Sequence, residues 1–186
     1  MEKYESVIGT RYKALVMSHI WSKHTRIEQM RLLWIVLAVS QKNLGVKIIT
    51  NEAISDLYEK VKVIDIDKIN EYEALLKHDI MAHIKAYSEL CPIGGKILHL
   101  GATSNFINDN VDSILIKKSF KKIKDQLKDL IMTMLNNANK TAAIPTIAYT
   151  HLQPAQLITI GRRFSMWTED LIMDKDDNCK GVVAWC

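Results

Sequence analysis

"DSILIKKSFKKIKDQLKDLIMTMLNNAN", from Asp112 to Asn139, decides how the rest of the chain is read. Ile116, Phe120, Ile123, Leu127, Leu130 and Met134 follow one another at steps of four, three, four, three and four residues. Those steps keep apolar side chains on one side of an α-helix and make a seam like that of a coiled coil. Ile114, Leu115, Ile131 and Leu135 widen the stripe. A stripe that wide must be covered from more than one direction, as in a helical bundle. The lysines of "KKSFKKIKDQLK" (Lys117 to Lys128) fit the same helix and read as its solvated face.

Toward the N-terminus the helical period recurs. "RIEQMRLLWIVLAVSQKNLG" places Ile27, Met30, Trp34, Leu37 and Leu44 on one helix, with Gly45 as its stop. Thr50 is set to cap "NEAISDLYEKV". Asp65 opens a helix expected to run unbroken to Cys91-Pro92. Residues 1–24 read as irregular with short helical turns. "IGGKILHLGATSNFINDN", Ile93 to Asn110, reads as an extended segment leading into a polar turn. Beyond the seam, "ANKTAAIPTIAYTHLQ" breaks the pattern, and Pro154 suits the first turn of a last helix through Leu157, Ile160, Phe164, Trp167 and Leu171. "MDKDDNCKGVVAWC" has no clear period and ends on Trp185 and Cys186. The expected fold is all-α. It has an N-terminal helical domain over 1–111, the start of a central long-helix bundle over 112–174, and an atypical tail over 175–186.

The totals agree with this. Among 186 residues, 48% are apolar and 25% charged, and three prolines and seven glycines are too few for a turn-rich β fold. A net charge of +4 is a mild excess that could attract a phosphorylated or polycarboxylate substrate; with acids mixed among the lysines it makes no basic stripe for nucleic acid. Cys91, Cys179 and Cys186 have neither metal-ligand spacing nor an even count, which suits a reducing compartment. "MEKYESVIGTRYKALV" lacks the apolar core of a secretory signal, and no stretch approaches about 18 apolar residues, so the expected setting is the cytoplasm, away from membranes.

Four stretches could carry chemistry. "KHDIMAH" holds His78, Asp79 and His83, of which Asp79 and His83 share a helical face; without a third ligand at the right spacing they read as a structural pair or a substrate pocket rather than a metal site. "GATSNFINDN" gathers Thr103, Ser104 and several Asn and Asp residues ahead of the long helix, where they could bind a carboxylate or phosphate or simply cap. "THLQPAQ" holds Thr150, His151 and Gln156 near an expected helix start. There a histidine is equally a cap or a proton donor tuned by its neighbours. Arg11 and Tyr12 offer a cation and a phenol in an irregular segment.

Taken in order and spacing, "RLLWIVLAVSQKNLGVKI", "LLKHDIMAH", "CPIGGKILHLGATS", "DN" and "THLQPAQLITIGRR" resemble the fumarase/aspartase superfamily over about residues 5 to 174. Within it they are more similar to animal adenylosuccinate lyases than to the fumarase, aspartase or argininosuccinate branches. The resemblance implies a homotetramer in which long helices of four chains form one bundle and three subunits build each site. It implies β-elimination of fumarate from adenylosuccinate, giving AMP, and from the succinylated aminoimidazole carboxamide ribonucleotide of purine synthesis, without metal or other cofactor. It places Arg11 and Tyr12 at the phosphate; Lys77, where animal relatives carry arginine, with His78 and Asp79 in the pocket; and Thr103 and Ser104 at the succinyl carboxylates. Thr150 and Gln156 fall in the signature stretch of His151, which becomes the general acid. The serine-bearing loop that supplies the base in that family lies beyond residue 186. The chain is therefore expected to be an N-terminal portion with little activity alone. A non-catalytic partner that inserts into full-length tetramers, or a helical module unrelated to catalysis, are the alternatives.

Overall fold

A computed structural model describes residues 7–12 and 14–183, with side chains as far as Lys175. The chain forms two compact units, Met1–Ile116 and Lys117–Cys186.

The first unit contains α1 (Val7–Arg11), α2 (Leu15–Ile20), α3 (Lys23–Asn43), α4 (Asn51–Glu59), α5 (Ile66–Leu76), α6 (Asp79–Leu90), a 3-10 turn (Gly94–Ile97) and the start of α7 (Ser104–Lys140). The expected caps are in place. Thr50 accepts the N–H of Ala53 and Asp65 that of Lys68, and Ser22 does the same for Thr25 at the head of α3. Trp34, Leu57, Ile80, Tyr87, Ile107, Val111 and Leu115 form the centre of the core.

Arg31 lies inside this core, 2% exposed. Its guanidinium donates to the carbonyls of Lys60, Val61 and Val63 at 2.9, 3.2 and 2.7 Å, and sits 4.2 Å over the Tyr87 ring. Burial lowers its pKa below the ordinary guanidinium value. The carbonyls where α4 ends, and the ring face, take up the positive charge.

Three expectations give way in the first unit. The helix expected from Asp65 to Cys91 is broken: Lys77 adopts φ 54° and closes α5, and His78 turns extended to cap α6. The break lets the two halves fold back on each other, burying Ile27, Ile69, Ala82 and Ala86 together. Tyr72 donates to Glu89, and Lys68 pairs with the same carboxylate at 2.5 Å, tying α5 to α6. The second correction lies in "SNFINDN", which is the first turns of α7 rather than a loop. Ile107, Val111 and Leu115 recur every fourth residue and are fully buried, and that burial outweighs the polar residues between them.

The third is the extended segment expected from Ile93: Gly94–Ile97 instead form the 3-10 turn, which packs where a side chain would not fit. A Cβ on Gly94 would stand 2.5 Å from the carbonyl oxygen of Ala53. The Asp56 carboxylate accepts the N–H groups of Ile93 and Gly94, each at 2.9 Å, and anchors the turn to α4.

The second unit holds the remainder of α7, a hairpin of β1 (Pro145–Thr150) and β2 (Gln153–Thr159), and α8 (Ile160–Val183). The hairpin corrects the expected helix start at Pro154. The strands pair antiparallel, Ile147 with Leu157 and Thr150 with Gln153, and a bulge at Ala148/Tyr149 puts Pro154 opposite Tyr149. A proline is tolerated at such a bulge because it has no ladder N–H to give. Gly161, in the first turn of α8, packs against the end of α7 and the turn after it: a Cβ there would lie 2.5 Å from the Ala138 oxygen and 2.7 Å from Ala142 Cα. α8 continues through Val183, so most of the expected tail is helical backbone; Trp185 and Cys186 lie outside the described residues. The fold is helical apart from this short sheet. No helix among the described residues is long and apolar enough to cross a membrane.

Candidate active site

The break at Lys77 does more than reverse the chain. It projects Lys77, His78 and Asp79 from a tight corner, all three exposed. His78 Nδ1 stands 3.4 Å from the N–H of Met81 and 3.3 Å from Asp79 Oδ1, and its Nε2 stands 3.4 Å from Ser104 Oγ. These contacts give the ring two states. As a cap, Nδ1 accepts from Met81 and the Nε2 proton faces Ser104. With the proton on Nδ1, the ring pairs with Asp79 and Nε2 becomes the acceptor for the serine hydroxyl. Residues 26 positions apart thus meet, and Ser104 can be either partner in a hydrogen bond. Thr103 precedes it, its hydroxyl accepting the N–H of Asn105 at 3.1 Å.

Two clefts adjoin this corner. One, of about 430 Å³, is lined by Asn70, Glu73, Ala74, Lys77, His78 and Asp79. The other, of about 420 Å³, shares Asn70, Glu73 and Asp79 and extends to Arg26, His83, Asn108 and Asp112. Arg26 is ion-paired with Asp112. The expected pairing of Asp79 with His83 is replaced by Asp79 with His78. His83 Nδ1 is buried without a hydrogen-bond partner, and burial, against a smaller opposite pull from Asp79, lowers its pKa.

Sequence reasoning passed over His99, reading it as part of an extended run. Its backbone is left-handed, φ 59°, and its Nδ1 accepts the indole N–H of Trp34 at 3.0 Å. Burial, then the charge of His78, lowers its pKa. The signal available was a histidine two residues before a glycine, in a segment with no strand partner.

Arg11 and Tyr12 lie at the end of α1 with exposed side chains, Tyr12 at 77%. Thr150, His151 and Gln156 belong to the second unit, all exposed on the hairpin. His151 and Leu152 form its two-residue turn at φ 51° and 64°. His151 therefore does not stand at a helix N-terminus, and the helix-dipole reason for a tuned imidazole does not apply to it.

The chain belongs to the lyase family, whose profile, described as "Lyase", matches residues 13–179. It is similar to the adenylosuccinate lyase of Saccharomyces cerevisiae, 37% identical over 175 residues, covering 93% of this chain and 36% of that protein. The adenylosuccinate lyase of Schizosaccharomyces pombe is 37% identical over 173 residues, covering 92% and 36%. In fold it is similar to the crystal structure of beta-carboxy-cis,cis-muconate cycloisomerase from Acinetobacter calcoaceticus sp. ADP1, with TM-score 0.81 at 21% identity over 92% of this chain and 41% of that one. The chain spans about a third of the length of the adenylosuccinate lyases it matches.

Proposed function

We propose that this chain carries the acid and carboxylate-binding part of an adenylosuccinate lyase site. The reaction is β-elimination of fumarate from adenylosuccinate, leaving AMP, and from the succinylated aminoimidazole carboxamide ribonucleotide, in the cytoplasm. A base removes a proton from the succinyl carbon beside a carboxylate. The C–N bond breaks, the electron pair left by the proton forms the new double bond of fumarate, and His151 protonates the departing nitrogen. Thr103 and Ser104 hold the carboxylate on which charge develops, and their hydroxyls act as preorganised donors. Lys77, His78 and Asp79 line the pocket, Arg11 and Tyr12 meet the phosphate, and Thr150 and Gln156 flank the acid.

The observation that carries this reading is the approach of Ser104 Oγ to His78 Nε2 at 3.4 Å, which joins two of the candidate stretches at one corner. The similarity to adenylosuccinate lyases supports the substrate. Phe120, Ile123, Leu130 and Met132 leave α7 with partly exposed apolar surface, which the bundle of a homotetramer would cover. The base is expected outside these residues. The 186-residue chain alone should therefore release fumarate at no more than trace rate.

A chimaera tests both halves of the idea. Residues 13–174 replace the matching third of the S. cerevisiae enzyme, and fumarate release is followed. The chimaera should turn over, and His151→Gln in it should lower kcat by about a hundredfold to ten-thousandfold. Full activity of that variant would rule His151 out as the acid.

A further inference from the structure

We propose that the cleft bounded by α3, α5, α6 and the first turns of α7 binds a small zwitterion, an α-amino acid with an aliphatic side chain. This goes beyond the lyase reading, whose pocket is the corner at His78 and Ser104.

The cleft lies wholly in the first unit, and its volume of about 420 Å³ is in the range of small-molecule sites. Its lining divides by chemistry. Ile27, Met30 and Ile69, each no more than 5% exposed, make an apolar wall. The remainder is polar and carries both signs of charge. Arg26 is already engaged, paired with Asp112 and donating to Asn108 Oδ1 at 3.5 Å. Lys23 on α3 then remains as a cation, with Glu73 on α5 and Asp79 on α6 as anions. Among the described residues no salt bridge joins Lys23 to either carboxylate. His83 adds no further charge: burial lowers its pKa, so the ring is neutral near neutral pH.

These features select the ligand. A simple anion in the cleft meets two carboxylates, and a simple cation meets Lys23. A molecule with a positive and a negative end satisfies both signs at once, through charge-assisted hydrogen bonds. The ammonium goes to Glu73 and Asp79 and the carboxylate to Lys23. The aliphatic side chain leaves water for the wall of Ile27, Met30 and Ile69. Asp79 also stands 3.3 Å from His78 Nδ1, so fumarate is the control for a ligand that sits at the corner instead.

The test is NMR titration of the 186-residue chain near neutral pH, following the His83 ring signals. Leucine should give a saturable shift. Isoamylamine and isocaproate, which keep its skeleton but lack one charged end, should each bind about two- to fivefold more weakly, as should leucine to Glu73→Gln and to Lys23→Met. Glycine, without the side chain, should bind about tenfold more weakly or worse. Fumarate should not compete with leucine. No saturable shift with leucine overturns the proposal. So does isoamylamine or isocaproate binding as tightly as leucine, or affinity unchanged in both variants, since Lys23 and Glu73 are exposed and their replacement leaves the core intact. Strict competition with fumarate moves the ligand to the corner and overturns it too. Leucine binding in a chain that ignores fumarate upholds the proposal and counts against the lyase reading alone.

Discussion

The two units each carry strained backbone beside a histidine, and they support it differently. In the first, Lys77 and His99 hold left-handed conformations at φ 54° and 59°. Each such residue costs on the order of 1 kcal/mol or more. There the core answers the cost: Lys77 N–H bonds Glu73 O, and Trp34 and Gln41 reach from α3 to the 99–100 turn. In the second, His151 and Leu152 hold φ 51° and 64° at a hairpin tip, and Leu152 is 92% exposed. The strand ladder, a bond from Arg163 to Ile147 O and one from the Ile160 N–H to Ile144 O support the hairpin. The first site is preorganised by its own core. The second presents its histidine at an exposed hairpin tip, where a strand ladder rather than a core repays the conformational cost.

Removing the prop under the first site should break the comparison most sharply. Arg31→Met orphans three carbonyls and vacates the face of Tyr87. The expected loss is about 3–5 kcal/mol in the first unit, read by hydrogen exchange at α3, α4 and α6. Amides of the hairpin should keep their protection; equal loss there would mean that the two units unfold as one. Gly161→Ala is the mirror experiment. Its new Cβ meets the Ala138 oxygen of α7 at 2.5 Å and Ala142 Cα, in the turn after α7, at 2.7 Å, and the expected cost is about 1–3 kcal/mol, confined to the second unit. Unchanged hairpin protection in that variant would show that α8 can shift freely against α7.

The contrast also explains what the sequence disclosed. Caps at Thr50 and Asp65 were legible because a short oxygen-bearing side chain before an apolar run has one common use. The helix over 112–139 was legible because its apolar period is local. The break at Lys77 was not: a lysine carries no sign of φ 54°, and it is the packing of α5 on α6 that rewards it. The hairpin was hidden for a similar reason. His-Leu lacks the Asn-Gly signature of a two-residue turn, and Pro154 fits a helix start as well as a bulge. Of the site, the residue types were visible, but the meeting of His78 with Ser104 and of Trp34 with His99 depends on contacts 26 and 65 positions apart, beyond any local pattern.

Relief of strain gives smaller effects of opposite sign. Leu152→Gly removes the Cβ penalty at an exposed turn and should stabilise the second unit by about 1 kcal/mol, seen as a higher midpoint for hairpin amides in urea. If instead the hairpin loosens, the leucine is held by contacts inside its own unit, and the contrast between the two sites shrinks.

The smallest expected effect is one of pH, and it concerns two histidines of the first unit. Burial is the leading reason that His83 and His99 hold their protons less readily when folded than when unfolded. As pH falls through about 6.5 the unfolded chain takes up those protons first. Stability is therefore full above that pH and declines below it, toward the lowered folded-state values. Glu52 and Glu89, whose pKa values are lowered by hydrogen bonds, change the balance only below about 4.5, so the window between about pH 5 and 7 isolates the histidines. Exchange-derived stability of α3 and α6 should fall across that window, and the combined replacement His83→Gln with His99→Gln should flatten the dependence. A flat profile in the unsubstituted chain would mean that both rings reach solvent, and that the first site is no better secured than the hairpin.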